Sequence, residues 1–243
     1  EGMNGVPIDM MPIVLNFSKP FKFEGKDRTL NFMGRVSLHQ GQLVAVVGPQ
    51  GCGKATLMRL IAGSVLPSED HSESPVFVPT HLRVANVADE PLFFGGTLYE
   101  NLTYGMDQSK PDASLARVRS ICKELNLSTI ITDYLDCEDQ DSWQDIFSGA
   151  QCKLLSIARA LAYNAELMCI HKPFSKMMDH EADLLIHTLH KHIDSRGILL
   201  YADSTKRRPR TVIWSATAEK AVHESHNILH LDVISGIRLL DPH

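Results

Sequence analysis

The chain reads as an α/β protein built on a mostly parallel sheet flanked by helices, and three observations predict it. First, Leu43–Val47, Leu167–Ile170 and Thr211–Ser215 are short, nearly continuous apolar runs of the kind a parallel sheet buries on both faces. Second, segments with helical spacing of apolar residues lie between them. Third, the run at Leu43–Val47 passes through a glycine-rich turn into a helical stretch over 55–62, the order expected of βαβ units.

The remaining elements follow from pattern and composition. Ile13–Phe17 is apolar and bounded by proline, so it reads as a further strand. Residues 67–79, rich in Ser, Glu and Pro, predict an exposed loop between strands. Over 112–127 the apolar positions Leu115, Val118, Ile121, Cys122 and Leu125 recur at helical spacing and open a helical insert. An acidic stretch over 136–145 reads as a surface loop. It leads to a second helix over 151–163, with Leu154, Leu155, Ala158 and Leu161 on one face. With 243 residues and 44% hydrophobic content, the chain is expected to form a single domain over 1–243, with a helical subdomain at about 97–163.

Charge and cysteine usage narrow the function classes. A formal charge of -5 and a pI near 6.2 offer no electrostatic footprint for nucleic acid. The basic run over 206–210 reads as a solvated loop before a strand. The 5 cysteines are widely spaced and form no C-x-x-C element, which predicts neither zinc nor a redox dithiol and fits a reducing cytosolic compartment. No apolar run approaches the ~20 residues a bilayer crossing needs, so the chain is expected to be soluble as it stands. It opens on Glu1 without an initiator methionine, as expected of a piece of a longer polypeptide.

The chemistry-bearing motif is Gly48-Pro49-Gln50-Gly51-Cys52-Gly53-Lys54, a G-x-x-x-x-G-K match placed after a predicted strand and before a predicted helix. Its glycines let successive backbone N–H groups turn toward one anion, the helix N-terminus adds its positive end, and Lys54 reaches the outer phosphates. The next residue is Ala55, where a Ser or Thr hydroxyl normally coordinates Mg²⁺. Thr56 follows, but a helix turns ~100° per residue, so its hydroxyl is expected to point away and serve the structure.

Phe147-Ser148-Gly149-Ala150-Gln151 resembles the LSGGQ signature of ATP-binding-cassette (ABC) nucleotide-binding domains, and Ile157-Ala158-Arg159-Ala160-Leu161 after it also looks like that family. The resemblance extends from about Ile13 to Leu240. The segment from Glu90 to Leu102 is similar to the region after the Q-loop in exporter-type cassettes. It implies a P-loop NTPase core with an antiparallel β subdomain and a helical signature subdomain. It also implies ATP as ligand and a second nucleotide-binding domain as partner, in a homo- or hetero-dimer. Transmembrane domains on the same or another chain would place the cassette at the cytoplasmic side of a membrane. In such pairs each site takes a phosphate loop from one cassette and a signature from the other. Ser148, Gly149, Ala150 and Gln151 would then face a phosphate on the partner, whereas the plain reading of Ser148 is a helix N-cap.

Other positions depart from the family pattern. His171 and Lys172 stand after the strand Leu167–Ile170, before Pro173, where the resemblance implies the Walker B Asp that orders Mg²⁺ and the Glu that polarises water. A lysine ammonium cannot act as that base, although it could replace some of the missing metal charge. Asp89 stands in place of the Q-loop Gln and could itself bind a cation. Thr217 takes the place of the switch histidine. The resemblance also implies an adenine-stacking aromatic upstream of the phosphate loop, among Phe17, Phe21 and Phe23, with Phe21 the choice and core packing the alternative for each. The expected whole is a hydrolysis-impaired cassette that holds ATP with weakened use of Mg²⁺; the alternative is a non-catalytic scaffold or regulatory module.

Overall fold

The structure, a computed structural model, describes residues 11–22, 29–67, 74–138, 142–200, 203–216 and 222–241. The chain divides into two compact units, the first drawn from 1–86, 166–171 and 208–243, the second from 87–165 and 172–207.

The strands are β1 (Ile13–Phe17), β2 (Phe21–Lys22), β3 (Thr29–Leu30), β4 (Gly34–Leu38), β5 (Leu43–Val47), β6 (Val76–Phe77), β7 (Val84–Val87), β8 (Leu167–Ile170), β9 (Thr211–Ser215), β10 (Asn227–Asp232) and β11 (Gly236–Leu240). A six-stranded sheet runs in the order β11-β10-β5-β9-β8-β7. Strands β10, β5, β9 and β8 are mutually parallel, with Leu43 opposite Val212 and Cys169 opposite Ile213, while β11 closes one edge antiparallel to β10. The three apolar runs occupy the middle of this sheet with the expected bounds. Both faces of β8 and β9 are buried, which is why their residues show no polar alternation.

Beside it stands an antiparallel sheet, β4-β1-β6. Val14 of β1 pairs with Phe77, so the stretch expected to be all loop contains a short strand; its partner lies far away in sequence, and two residues carry too little pattern to show it. Strands β2 and β3 form a separate antiparallel pair. Helix α1 (Lys54–Ile61) buries Leu57, Met58, Leu60 and Ile61 in a core that includes Ile13, Leu15, Phe32, Val44, Val46 and Ile213.

At the start of β8 the first unit holds an ion cluster. Glu166 accepts the backbone N–H of Arg83 at 2.7 Å and its Nη2 at 2.9 Å, with Arg210 Nη1 at 3.8 Å. Burial raises the Glu166 carboxyl, but hydrogen bonds and charge from Arg83, with the charge of Arg210, bring it below the usual carboxylate range. Arg210 is only 2% exposed, so the end of the basic run is not the solvated loop its composition suggested. Its guanidinium has a buried carboxylate to answer, a long-range fact that a charge run does not display.

The second unit is helical: α2 (Leu98–Leu102), α3 (Leu115–Glu124), α4 (Thr129–Asp133), α5 (Trp143–Ile146), α6 (Gly149–Ala162) and α7 (Asp179–Asp194). The helix expected over 112–127 is a 3-10 turn, Pro111–Ala113, followed by α3, because Pro111 opens the turn and Ser114 separates the two. The expected surface loop over 136–145 contains the start of α5, whose Trp143 is fully buried and donates from Nε1 to the Gly96 carbonyl at 2.8 Å. Arg117 on α3 is buried and donates to the carbonyls of Leu161 and Ala162, capping the C-terminal end of α6 with a cation.

Candidate functional site

In the first unit the loop expected to bind phosphate runs from the end of β5 to α1. Gly48 has φ +151°, and a Cβ there would lie 2.3 Å from the Leu231 carbonyl oxygen, so only glycine lets the loop pass β10. Gly53 has φ +101° and caps α1 without any side-chain hydrogen bond, leaving the first-turn amides without a competing side-chain acceptor. Lys54 folds over the loop and donates from Nζ to the carbonyls of Gly48 at 2.6 Å and Pro49 at 3.0 Å. Cys52 Sγ lies 4.0 Å from the same nitrogen. An ammonium over a ring of glycine-permitted backbone, at the start of a helix of 8 residues, is a donor set that fits a polyphosphate.

The positions expected to serve Mg²⁺ have different chemistry. Ala55 presents a methyl group, and His171 at the end of β8 has its Nδ1 2.9 Å from Ser215 Oγ at the end of β9. Mg²⁺ requires hard oxygen ligands in an octahedral shell, and neither a methyl group nor an imidazole tied to a serine matches that demand. Among the described residues, no three His, Cys, Asp or Glu side chains are grouped to hold a metal ion. Thr56 is half-buried in the first turn of α1. Thr217 and Phe23 lie outside the described residues. Phe21 is 1% exposed, with its ring centroid 5.9 Å from that of Phe32. Its ring is enclosed in the core, which leaves it no open face for adenine.

In the second unit, the side chain of Lys172 forms an ion pair with Asp89. The carboxylate expected to be open to a cation is thus occupied by an ammonium from the segment after β8. Lys172 itself adopts φ +48°, a left-handed conformation that costs a non-glycine residue of order 1 kcal/mol and that its surroundings must impose. Ser148 is the N-cap of α6. Its Oγ accepts the Gln151 N–H at 3.3 Å, and Gln151 Oε1 accepts the Ser148 N–H at 2.8 Å, a complete capping box. Helix α6 therefore begins at Gly149, earlier than the expected 151. Phe147 stacks on Trp143 at 5.8 Å between centroids and 11° between planes, which seats an aromatic where the family pattern has leucine.

Three contributors were not legible in the sequence. A Cβ on Gly149 would meet Lys176 Cδ at 2.6 Å and Nζ at 2.9 Å, so that lysine lies over the backbone at the start of α6. Ser215 reads as a strand residue until His171 is found beside it. Lys153 is 1% exposed and donates from Nζ to the Ala88 carbonyl at 2.5 Å. Burial pushes its ammonium down to about 8, the charge of Lys172 adding to the fall and that of Asp89 opposing it.

Residues 34–175, more than half of the chain, match the family described as ABC transporter. The chain belongs to the ABC transporter family. Within this family it is 30% identical over 204 residues to the sulfate/thiosulfate import ATP-binding protein CysA of Pectobacterium atrosepticum, covering 78% of this chain and 58% of that one. It is 31% identical over 160 residues to the multidrug resistance protein pgp-1 of Caenorhabditis elegans, covering 62% of this chain and 12% of that one. A bacterial Atm1-family ABC exporter with ATP bound shares the fold at a TM-score of 0.72 and 20% identity, covering 95% of this chain and 39% of that one. The chain spans less than two thirds of the length of each of these relatives. Importer and multidrug proteins both appear among them, so family membership does not separate the two branches. No helix among the described residues is long and apolar enough to cross a membrane.

Proposed function

We propose that this chain is the ATP-binding domain of an exporter-type ABC transporter whose own site holds ATP and turns it over very slowly or not at all. The observation that carries this reading is the contrast within the first unit. The Gly48–Lys54 cradle keeps its glycine-dependent shape and its ammonium, while Ala55 and His171 provide neither hydroxyl nor carboxylate for Mg²⁺. Lys172, paired with Asp89, removes the carboxylate that would polarise the attacking water. Loss of one general base or metal ligand commonly costs ~10² to 10⁴ in rate, and such losses act together rather than adding.

In this reading the cassette pairs with a second nucleotide-binding domain, and Ser148 and Gly149 face the phosphate held there. Transmembrane domains belong to the same assembly, which puts the chain at the cytoplasmic side of a membrane. The likeness of the segment from Glu90 to Leu102 to exporter cassettes supports the exporter branch, and the resemblance includes relatives of the importer kind as well. A second reading, a scaffold or regulatory module, draws on Asp89, because a Q-loop position held in an ion pair has changed its chemistry.

The test is titration of the purified protein with a fluorescent ATP analogue, with Mg²⁺ and again with EDTA, while released phosphate is followed. Binding of similar strength in both conditions without phosphate release is expected, and K54A should weaken it about tenfold or more. Mg²⁺-dependent turnover by this chain alone would overturn the reading, and absence of binding would favour the scaffold.

A further inference from the structure

Lys153 is an expensive residue for its place. Holding an ammonium in a site 1% exposed costs several kcal/mol of lost hydration before its contacts are counted, whereas a methionine of similar length would fill the volume at no such cost. Lys153 reaches out of its own helix. Nζ donates to the Ala88 carbonyl at 2.5 Å, and the charges of Asp89 and Lys172, which pair with each other, act on it. Lys153 lies early in α6, just past the Ser148 capping box that opens the helix. One buried cation therefore joins the signature end of α6 to the 88–89 segment, all within the second unit.

We propose that Lys153 is a positioning residue that makes the Ser148 cap and the Asp89–Lys172 pair move together, so that a phosphate engaged at the signature is registered at residues 88 and 89. This rests on the reading that Ser148 faces a phosphate of a second cassette. A hydrogen bond to a backbone carbonyl transmits displacement of the chain itself, and an ion pair one residue further on transmits its charge. Neither contact involves the phosphate directly, so Lys153 acts through the two segments it joins.

Amide hydrogen exchange on the full-length protein with its partner cassette tests this. Adding ATP is expected to slow exchange about tenfold in both 147–152 and 87–92 of the wild type. K153M should keep the slowing at 147–152 and lose it at 87–92, while K153R, which retains the cation, keeps both. Should K153M fail to fold, K153Q serves in its place. Slowing at 87–92 that persists in the neutral variants overturns the proposal, and so does its loss in K153R, which would assign the effect to packing. If ATP leaves 147–152 of the wild type unchanged, the proposal also fails, and the reading of Ser148 as a phosphate contact is then the part at fault.

Discussion

A lysine whose ammonium is pushed down to about 8 in the folded chain binds its proton less readily there than in the unfolded chain, where the usual value is 10.5. Between those two values the unfolded state carries more protons, so raising the pH through that window releases a cost of folding and stability rises. Lys153 is thus expected to give the wild type a stability that climbs from pH 8 toward 10.5, while K153M gives a flatter profile over the same range. Urea midpoints at several pH values check this, and parallel profiles would mean that the ammonium is less buried than its geometry implies. Glu166 gives the same slope in an acid window, but as a stabilising contribution and not a relieved cost. Its carboxyl lies below the ordinary value, so its contribution is present above the unfolded value and is lost as pH falls toward the folded one. Replacing Glu166 with Gln keeps hydrogen-bonding atoms but takes the carboxylate charge away from Arg210, which is 2% exposed. A loss of about 2 to 4 kcal/mol is expected at pH 7, read from the same urea unfolding.

At the scale of the element, one residue of helix α6 has a structural job and, in the proposed function, a second one. Ser148 closes a capping box, and removing such a cap costs about 1 kcal/mol, so S148A should lower the melting temperature by only a few degrees. If Ser148 also faces a partner's phosphate, the same substitution should reduce phosphate release by the paired assembly far more than that stability loss accounts for, by ~10²-fold. Equal, small effects on both would leave Ser148 as a cap alone. The strands and helices differ in how far they could be read beforehand. The middle strands β5, β8 and β9 were legible because burial on both faces writes an unbroken apolar run. The glycine-rich turn between β5 and α1 was legible because its glycines are demanded by contacts such as Gly48 against Leu231. The two-residue strand β6 and the start of α5 at Trp143 depend on partners distant in sequence. The burial of Lys153 and Arg210 depends on where a carbonyl or a carboxylate ends up in space, which periodicity does not encode.

At the scale of the whole molecule, the proposed silence of the site concerns several residues at once, and reversing it has to respect the Lys172–Asp89 pair. Restoring Ala55→Thr and His171→Asp would supply a hydroxyl at the start of α1 and a carboxylate beside Ser215. Restoring Lys172→Glu is different, because Lys172 faces Asp89, and the new carboxylate would stand against an existing one. The two like charges would repel, raise each other's affinity for a proton and cost about 0.5 to 1 kcal/mol at this partly exposed pair. K172E alone is therefore expected to lose stability and gain no turnover. Adding D89Q removes the repulsion, so the four substitutions together are expected to show Mg²⁺-dependent phosphate release at least ~10²-fold above the wild type in the assembled pair. Recovery of stability on adding D89Q, without any gain in phosphate release, would mean that residues 55, 171 and 172 are not what silences the site, and the cause would have to lie at other departures such as Thr217.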